Sequence, residues 1–338
     1  MPRVLVTTTS FQDTPGAHQK LLESAGFDLV TERGPLPEER MLELAGGFDA
    51  FLCGDDAITR AVISKSLPKL KVISKYGIGL DKIDVPAATE LGVPVLFTPG
   101  VNHTTVAEHT FGLMLAASRN LVVEANHVAA GRWKRITGHD LAGKTLGIVG
   151  MGRIAHEVAI RGKAFGMKLI AFAHHWDDAF ASSVGLERMK DLGSLLERAD
   201  IITLHTSFTP ATRHMLNAGN FHHIKKGAII VNTARGELIE LKALLAALKS
   251  NHLLAYAAAV LDEEPPPAGH PLLGLPNVTL TPHIGSRTFE SVERQGSCAV
   301  ENLTRFLAGK PPIAQANKVP ARPRRAASFE PTSFEPPK

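Results

Sequence analysis

The sequence predicts an α/β protein with two doubly wound parallel sheets, each in a domain of its own. Short apolar segments with the length and composition of buried strands alternate with segments whose apolar residues recur at helical spacing. This alternation favours parallel strands joined by crossover helices. The length of 338 residues is long for one hydrophobic core and sufficient for two.

The first series of strand-like segments predicts one parallel α/β sheet. The stretches between the strands, such as 18–25 and 38–45, carry apolar residues at the spacing of a helix with one buried face. The five predicted strands are 3–7, 28–30, 50–53, 71–74 and 93–97.

A second series begins after Gly143 and predicts a doubly wound sheet of the kind that binds nucleotides. The apolar segment 104–120 predicts a long buried helix that joins the two domains. Another helix, at about 289–307, is predicted to return to the first domain, which would then be discontinuous. The six predicted strands are 145–149, 168–172, 201–204, 228–231, 254–260 and 278–280.

The composition is that of an ordinary water-soluble protein, with 44% hydrophobic and 21% charged residues. No apolar run approaches the roughly 20 residues of a membrane span, and the N-terminus lacks a cleavable signal pattern, so we expect a cytoplasmic protein without a membrane partner. The net charge of +4 gives no nucleic-acid footprint. Residues 318–338, rich in proline and arginine, cannot supply a core and are interpreted as a tail.

The two cysteines, Cys53 and Cys298, are too few for a disulfide framework, which agrees with a reducing compartment. They also lack the spacing of a zinc site. Two pairs of adjacent histidines, 174–175 and 222–223, are joined by no cluster of cysteines or carboxylates. We therefore expect no metal.

A glycine-rich turn opens the second domain and predicts a dinucleotide site. Gly150, Gly152 and Ala155 follow a predicted strand and precede a run typical of a helix. Gly150 permits a tight turn, and Gly152 allows the backbone to approach a pyrophosphate at the positive end of the helix. Arg153 and Ile154 belong to the same turn, and the tolerated alanine replaces the third glycine of the pattern.

The second strand of this domain lacks the acidic residue that usually binds the adenosine ribose. The expected position is Ala173, so no carboxylate repels a 2′-phosphate there and NADP is as plausible as NAD. His174 or His175 could hydrogen-bond that phosphate, although no arginine adjoins them in the sequence. Two alternatives stay open: both histidines are surface residues, and Asp177 reaches the ribose instead.

Three later segments carry an arginine, a glutamate and a histidine suited to the chemistry of a 2-hydroxy or 2-oxo acid. They are Asn232-Thr233-Ala234-Arg235-Gly236, Asp262-Glu263-Glu264-Pro265 and Leu280-Thr281-Pro282-His283-Ile284-Gly285. An arginine can bind a carboxylate by paired hydrogen bonds. A histidine can exchange a proton near neutral pH, and a glutamate can orient its ring and favour its charged form.

With the glycine-rich turn and these segments in this order, residues 3–315 resemble the D-isomer-specific 2-hydroxyacid dehydrogenases. Other motifs of the resemblance are Tyr76-Gly77-Ile78-Gly79-Leu80-Asp81 and Val106-Ala107-Glu108-His109. The resemblance implies a flavodoxin-like substrate-binding domain in residues 1–100 and 285–317, and a Rossmann NAD(P)-binding domain in residues 101–284.

The resemblance also implies roles for individual residues. Arg235 would bind the carboxylate and carbonyl oxygen of the substrate, His283 would be the acid/base and Glu264 its partner. The amides of Ile78 and Gly79 would hold the carboxylate as well. Relatives are commonly dimers, so a homodimer is expected. The cofactor site would comprise Gly150, Gly152, Arg153, Ile154, His174, Thr206, Thr233, Ala234 and Gly285.

One further departure from the family is Ala259, where relatives usually carry an aspartate that contacts the nicotinamide carboxamide. We therefore keep two other interpretations beside that of a 2-oxo-acid reductase. A cofactor sensor or corepressor-like binding protein would explain the lost aspartate. A D-3-phosphoglycerate dehydrogenase is disfavoured, because Asp55 and Asp56 would repel a distal phosphate, although Lys75 could bind one.

Overall fold

The computed structural model describes residues 1–319 and divides the chain into two compact units. Unit 1 comprises Met1–Pro99 and the described residues from Gly296, and unit 2 comprises Gly100–Gln295. The predicted tail 318–338 lies outside the described residues except for its first two positions. No helix among residues 1–319 is long and apolar enough to cross a membrane.

Unit 1 is built on a five-stranded parallel sheet, as the sequence predicts. The strands are β1 (Arg3–Val6), β2 (Asp28–Thr31), β3 (Ala50–Cys53), β4 (Val72–Lys75) and β5 (Val95–Leu96). Their order is β2-β1-β3-β4-β5, with every neighbouring pair parallel, which is the flavodoxin-like arrangement. Every residue of β3 and β4 is buried, which explains the continuous apolar character of β3, whereas β4 also buries Ser74 and Lys75.

Five helices connect these strands. Two of them begin at side-chain caps, since Thr59 accepts a hydrogen bond from the amide of Val62 and Asp84 accepts one from the amide of Ala87. The helices are α1 (Thr9–Asp13), α2 (Ala17–Glu23), α3 (Glu38–Leu44), α4 (Arg60–Ser66) and α5 (Val85–Glu90).

Unit 2 contains a seven-stranded parallel sheet, one strand more than predicted. The strands are β6 (Thr145–Val149), β7 (Lys168–Phe172), β8 (Leu186–Arg188), β9 (Ile201–Leu204), β10 (Ala228–Asn232), β11 (Leu253–Ala258) and β12 (Val278–Leu280). The missed strand is β8, of whose three residues only Leu186 is buried, so it carries almost no hydrophobic pattern. The order β12-β11-β10-β9-β6-β7-β8 is the Rossmann order with one added edge strand.

The helices of unit 2 are α6 (His103–Ser118), α7 (Leu121–Ala129), α8 (Arg153–Ala164), α9 (Asp178–Val184), α10 (Leu192–Arg198) and α11 (Leu241–Lys249). Helix α6 confirms the predicted long buried helix and packs on the core beneath β10 and β11. A last helix, α12 (Phe289–Leu307), was also predicted, and the division between the units falls within it.

The strand order of unit 2 determines which loops are neighbours. Because all strands are parallel, the loops that follow them meet at one edge of the sheet, the carboxyl edge. Strands β10, β11 and β12 are adjacent there, so the loops carrying Arg235, Glu264 and His283 lie side by side. The loops after β6, β7 and β9 meet at the other half of the edge.

Candidate active site

The loop after β10 is closed by the side chain of its first residue. The Asn232 Oδ1 atom accepts a hydrogen bond from the Ala234 amide (3.0 Å), and its Nδ2 donates to the Arg235 carbonyl (2.8 Å). Nη1 of Arg235 donates in turn to the Ala234 carbonyl (2.7 Å). A buried asparagine thus fixes the backbone from which the arginine extends.

Gly236 allows this loop to run against the loop after β11. A Cβ atom at this position would lie 2.1 Å from the carbonyl carbon of Leu261 and 2.2 Å from the amide nitrogen of Asp262. Both are backbone atoms, which cannot move aside as a flexible side chain would. The glycine therefore permits the close approach that brings Arg235 beside the segment leading to Glu264.

Glu264 and His283 form the pair that the sequence suggested. Nδ1 of His283 lies 2.6 Å from Oε2 of Glu264, and the Leu261 amide donates a hydrogen bond to Oε1 (2.8 Å). The side chains are 39% and 33% exposed, so the pair remains accessible to a ligand. A carboxylate at this distance orients the ring and stabilises the imidazolium form.

The backbone of His283 is unusual. Its φ is +48°, in the left-handed region that is uncommon for residues other than glycine. Its amide donates to the carbonyl of Ala259 (2.9 Å), which ties the turn to the end of β11. Strained backbone of this kind recurs where a structure must hold a functional side chain in one orientation.

The glycine-rich turn has the shape of a dinucleotide-binding turn. Gly150 has φ +109°, and a Cβ there would lie 2.6 Å from the carbonyl oxygen of His205. Gly152 is the residue before α8, and no atom lies within 4 Å of the position its Cβ would take. A tight turn, open space over the second glycine and a following helix N-terminus fit a bound pyrophosphate.

Arg153 begins α8, directly after Gly152, and Ile154 follows it at the edge of the core. The exposed guanidinium of Arg153 lies against Gly100. A Cβ atom at Gly100 would be 2.5 Å from Nη1 of Arg153. Ala155, in place of the third glycine, is buried against β6 and α6. The turn thus contains the residues that the sequence indicated.

The other predicted cofactor residues lie along the carboxyl edge of the same sheet. Thr206 follows β9, and the hydroxyl of Thr233 lies 3.0 Å from that of Thr110 on α6. Ala234 is held by Asn232, as described above. Gly285 is buried, and a Cβ atom at this position would lie 3.9 Å from the ring of His109.

The end of β7 has no carboxylate available at the expected place. Ala173 is partly buried, and the exposed His174 makes an edge contact with the Phe172 ring. Asp177, the alternative ligand of the ribose, caps α9 by accepting a hydrogen bond from the Phe180 amide (2.9 Å). Its carboxylate is therefore engaged in helix capping.

The remaining predicted substrate residues belong to unit 1. Ile78 and Gly79 lie in the loop after β4, and Ile78 is 38% exposed. The buried Thr98 braces this loop: its hydroxyl accepts a hydrogen bond from the Gly77 amide (3.0 Å), and its own amide donates to the Gly77 carbonyl (3.0 Å). Gly77 has φ +124°, which a non-glycine residue rarely adopts.

Three histidines contribute contacts that the sequence did not specify, and two of them anchor loops of the candidate site. Nε2 of His109 lies 2.9 Å from the hydroxyl of Thr281, and burial lowers the pKa of this histidine. Nε2 of the buried His270 lies 3.1 Å from Oδ1 of Asp262. Each contact anchors a loop that carries Glu264 or His283. Neither contact could be predicted from a local sequence pattern.

The third histidine, His205, follows the end of β9 and lies beneath the glycine-rich turn. Its Nε2 is 2.8 Å from the hydroxyl of Thr203, and dense surroundings lower its pKa to about 3 although the residue keeps some accessible surface. The ring is thus neutral at physiological pH. Among residues 1–319, no three histidine, cysteine or acidic side chains are grouped so that they could hold a metal ion.

Comparison with known proteins identifies the chain's relatives. Residues 111–285 match the family model described as D-isomer specific 2-hydroxyacid dehydrogenase, NAD binding domain. A D-3-phosphoglycerate dehydrogenase of Methanocaldococcus jannaschii is 42% identical over 92% of this chain, and the chain spans 58% of that relative's length. A glyoxylate reductase of Thermofilum pendens is 38% identical over 84% of this chain and 86% of its own.

Solved structures show the same fold. The TT0316 protein of Thermus thermophilus has a TM-score of 0.84 and 39% sequence identity, over 93% of this chain and all of that one. Identity at this level over most of both chains goes beyond likeness of fold. The chain belongs to the D-isomer specific 2-hydroxyacid dehydrogenase family.

Proposed function

We propose that this protein is an NAD(P)-dependent 2-hydroxyacid dehydrogenase that works as a 2-oxo-acid reductase on small substrates. The observation that carries the proposal is the pairing of His283 with Glu264 at 2.6 Å, beside the loop that presents Arg235. These residues supply a proton donor, the group that holds it in its charged form and a cation for a carboxylate. Family membership supplies the reaction class.

In the proposed reaction Arg235 binds the carboxylate and the carbonyl oxygen of the 2-oxo acid by its planar guanidinium. His283 donates a proton to that oxygen, and Glu264 stabilises the imidazolium before the transfer. For unit 1 taken by itself, we propose that the amides of Ile78 and Gly79 bind a carboxylate, because their loop is exposed and braced by Thr98.

The cofactor, when bound, supplies the hydride that reduces C2 of the acid. The turn at Gly150 and Gly152 and the N-terminus of α8 would hold its pyrophosphate. Thr206, Thr233, Ala234 and Gly285 are proposed to line the rest of the site. Either NAD or NADP fits this framework, and the missing acid at Ala173 removes the usual obstacle to NADP.

A steady-state assay tests this function. Purified protein is offered glyoxylate, hydroxypyruvate and pyruvate, each with NADH and with NADPH, and oxidation of the nicotinamide is followed. We expect turnover of at least one 2-oxo acid that depends on His283 and Arg235. Absence of turnover with every pair, in a protein that binds the cofactor, would contradict the proposal.

D-3-phosphoglycerate dehydrogenase stays a second candidate, since a relative at 42% identity carries that name. In unit 1 Asp56 is buried and accepts hydrogen bonds from Thr7 and the Leu36 amide, so it is not presented to a phosphate as the sequence suggested. Nζ of Lys75 is buried and bonded to Asp55 (2.6 Å), so neither the expected repulsion nor the expected ligand is available. Adding 3-phosphoglycerate to the assay, in the oxidising direction, separates the candidates.

A cofactor sensor is a third candidate, because Ala259 replaces the residue that would contact the carboxamide. Its side chain is buried within the core cluster and offers no polar atom there. The intact Glu264 and His283 pair favours an enzyme, since a protein that only senses its cofactor has no use for a proton donor. Cofactor binding without any turnover would support the sensor.

We also propose a homodimer in the cytoplasm. Helix α7 and the segment after it expose large apolar side chains of the kind that association covers, with Leu121, Val122, Val128 and Trp133 between 47% and 78% exposed. Light scattering coupled to size exclusion measures the mass directly. A particle of about 72 kDa, twice the 36.2 kDa of one chain, is expected.

A further inference from the structure

The edge strand that the sequence did not reveal brings an arginine to the end of β7. Arg188 is the last residue of β8 and is paired in register with Ala171, two residues before Ala173. Its Cζ atom lies 5.2 Å from the centre of the Trp176 ring, in the loop that follows β7. We name this group, Ala173, His174, Trp176 and Arg188, the β7 corner.

The acidic residues around the β7 corner are mostly engaged elsewhere. Glu187, which precedes Arg188, forms a two-point ion pair with Arg198 at 2.6 and 2.7 Å. Asp177 caps α9 through the Phe180 amide, and Asp178 lies in the first turn of the same helix, where a negative charge is favourable. Within residues 1–319, the exposed Arg188 forms no hydrogen bond or ion pair with a carboxylate.

An arginine in this setting is suited to a phosphate. Its guanidinium rests against an aromatic ring, which limits its orientations and leaves its N–H groups directed along the plane of the fork. A phosphate monoester offers oxygens that match this fork, and hydrogen bonds between charged groups are stronger than neutral ones. In nucleotide-binding sheets of this type, an arginine near the end of the second strand accommodates the 2′-phosphate of NADP.

We propose that Arg188, with His174, binds the 2′-phosphate of NADP(H) and makes this protein prefer NADP(H) to NAD(H). The proposal rests on the proposed function only in that the ligand is the same dinucleotide. Trp176 supports the arginine, and Ala173 leaves the phosphate free of a repelling carboxylate. The structure thus supplies the arginine that no neighbouring position of the sequence offers.

Binding without turnover tests the proposal. Isothermal titration calorimetry measures the Kd of the full protein for NADP⁺ and for NAD⁺, which differ only by the 2′-phosphate, with adenosine 2′,5′-bisphosphate and 5′-AMP as a second pair. We expect NADP⁺ to bind at least tenfold more tightly than NAD⁺. Arg188→Ala should weaken NADP⁺ by about tenfold, or about 1.4 kcal/mol, and change NAD⁺ by less than about twofold.

Matched variants separate recognition from folding. Arg3→Ala removes another exposed arginine that lies over an aromatic ring, that of Phe48, from the first strand of unit 1, and it should change neither Kd. Arg188→Lys keeps the charge and should restore part of the affinity for NADP⁺. Circular dichroism and the melting temperature of each variant confirm that it folds.

Three outcomes would overturn the proposal: the wild type binds NAD⁺ as tightly as NADP⁺, Arg188→Ala changes neither Kd, or it weakens both equally. The second outcome would make the arginine a surface contact of Trp176 alone. Because no substrate is present, these outcomes are independent of whether any 2-oxo acid is reduced. A protein that binds NADP⁺ selectively but turns over nothing would retain this inference and lose the proposed function.

Discussion

The two halves of the carboxyl edge of the seven-stranded sheet are built in different ways. At the ends of β10, β11 and β12, which we call the acid/base half, polar side chains bond to one another and to backbone. At the ends of β6, β7, β8 and β9, which we call the fingerprint half, glycines shape the backbone, and the exposed His174 and Arg188 contact aromatic rings. Both halves belong to one sheet and share its core.

The difference follows from what each half has to do in the proposed reaction. Proton transfer requires an imidazole held in one orientation, and the acid/base half provides it through the Glu264 contact and the left-handed backbone at His283. Binding a long dinucleotide requires room for its phosphates, which Gly152 leaves open. Rigid side chains serve the first purpose, and a rigid backbone with exposed side chains serves the second.

The largest effect is expected in the acid/base half. His283→Ala removes the proposed proton donor, and we expect kcat for the best 2-oxo acid to fall by roughly a hundredfold or more, because general acid/base catalysis contributes about 10²–10⁴. The Kd for the cofactor, measured by titration, should remain nearly unchanged. Steady-state kinetics and binding on the same preparation distinguish the two effects.

A control for this variant is His139→Ala, at an exposed position where the backbone amide donates a hydrogen bond to the Ser118 carbonyl. It should retain the kinetics of the wild type. Turnover at the wild-type rate in His283→Ala would show that another group supplies the proton. The acid/base half would then not hold the proton donor, and the proposed difference between the two halves would be wrong.

Arg235 provides the next test of the acid/base half, through geometry rather than charge. Arg235→Lys keeps the positive charge but loses the planar fork, so we expect kcat/KM to fall almost as far as in Arg235→Ala. The loss of one hydrogen bond between charged groups corresponds to about 2 kcal/mol, or about thirtyfold. If lysine preserves kcat/KM, the arginine contributes charge alone and the proposed two-point binding is wrong.

The two halves also differ in how far the sequence could predict them. In the acid/base half short motifs marked Arg235, Glu264 and His283, and the adjacency of parallel strands at one edge explains why the pairing of Glu264 with His283 could be foreseen. The fold followed from the same strand pattern, since the short apolar strands and the long, largely buried helix α6 stand out by their apolar composition.

The contacts that could not be predicted from the sequence join positions that are far apart in the chain. Strand β8 has one buried residue, so neither the strand nor the position of Arg188 beside β7 had a readable signal. Glu108 pairs with Arg161, and His109 contacts Thr281, although both residues belong to one short motif on α6. Such partners depend on how helices pack on the sheet, which local patterns do not specify.

The lowered pKa of His205, in the fingerprint half, predicts how the free energy of unfolding depends on pH. In the unfolded chain a histidine binds a proton below about pH 6.5, whereas in the folded protein the pKa of His205 is lowered to about 3. The native state therefore binds fewer protons in this window, so stability falls as the pH falls from about 6.5 towards 3. At pH 5 this corresponds to up to about 2 kcal/mol.

His205→Gln removes this titration, so its free energy of unfolding should decrease less than that of the wild type between pH 7.5 and pH 5. Urea unfolding at both pH values measures the change, and His222→Gln, at an exposed position, should behave like the wild type. An identical pH dependence in His205→Gln and the wild type would mean that the folded protein protonates this ring as easily as the unfolded chain does.

The smallest expected effect concerns selectivity in the fingerprint half. Ala173→Asp places a carboxylate where the 2′-phosphate of NADPH would lie, and offers the ribose hydroxyls of NADH an acceptor. We expect the wild type to accept NADPH at least as well as NADH, and the variant to shift the ratio of kcat/KM towards NADH by about tenfold, or about 1.4 kcal/mol.

A control for this prediction is Ala142→Asp, in an exposed loop of the same unit, which adds the same charge and should leave the ratio of kcat/KM unchanged. Oδ1 of Asp177 accepts the cap hydrogen bond of α9, which places this carboxylate at the start of that helix rather than at the end of β7. A wild type that strongly prefers NADH, or a ratio that Ala173→Asp does not move, would mean that the ribose is held by residues other than those at the end of β7.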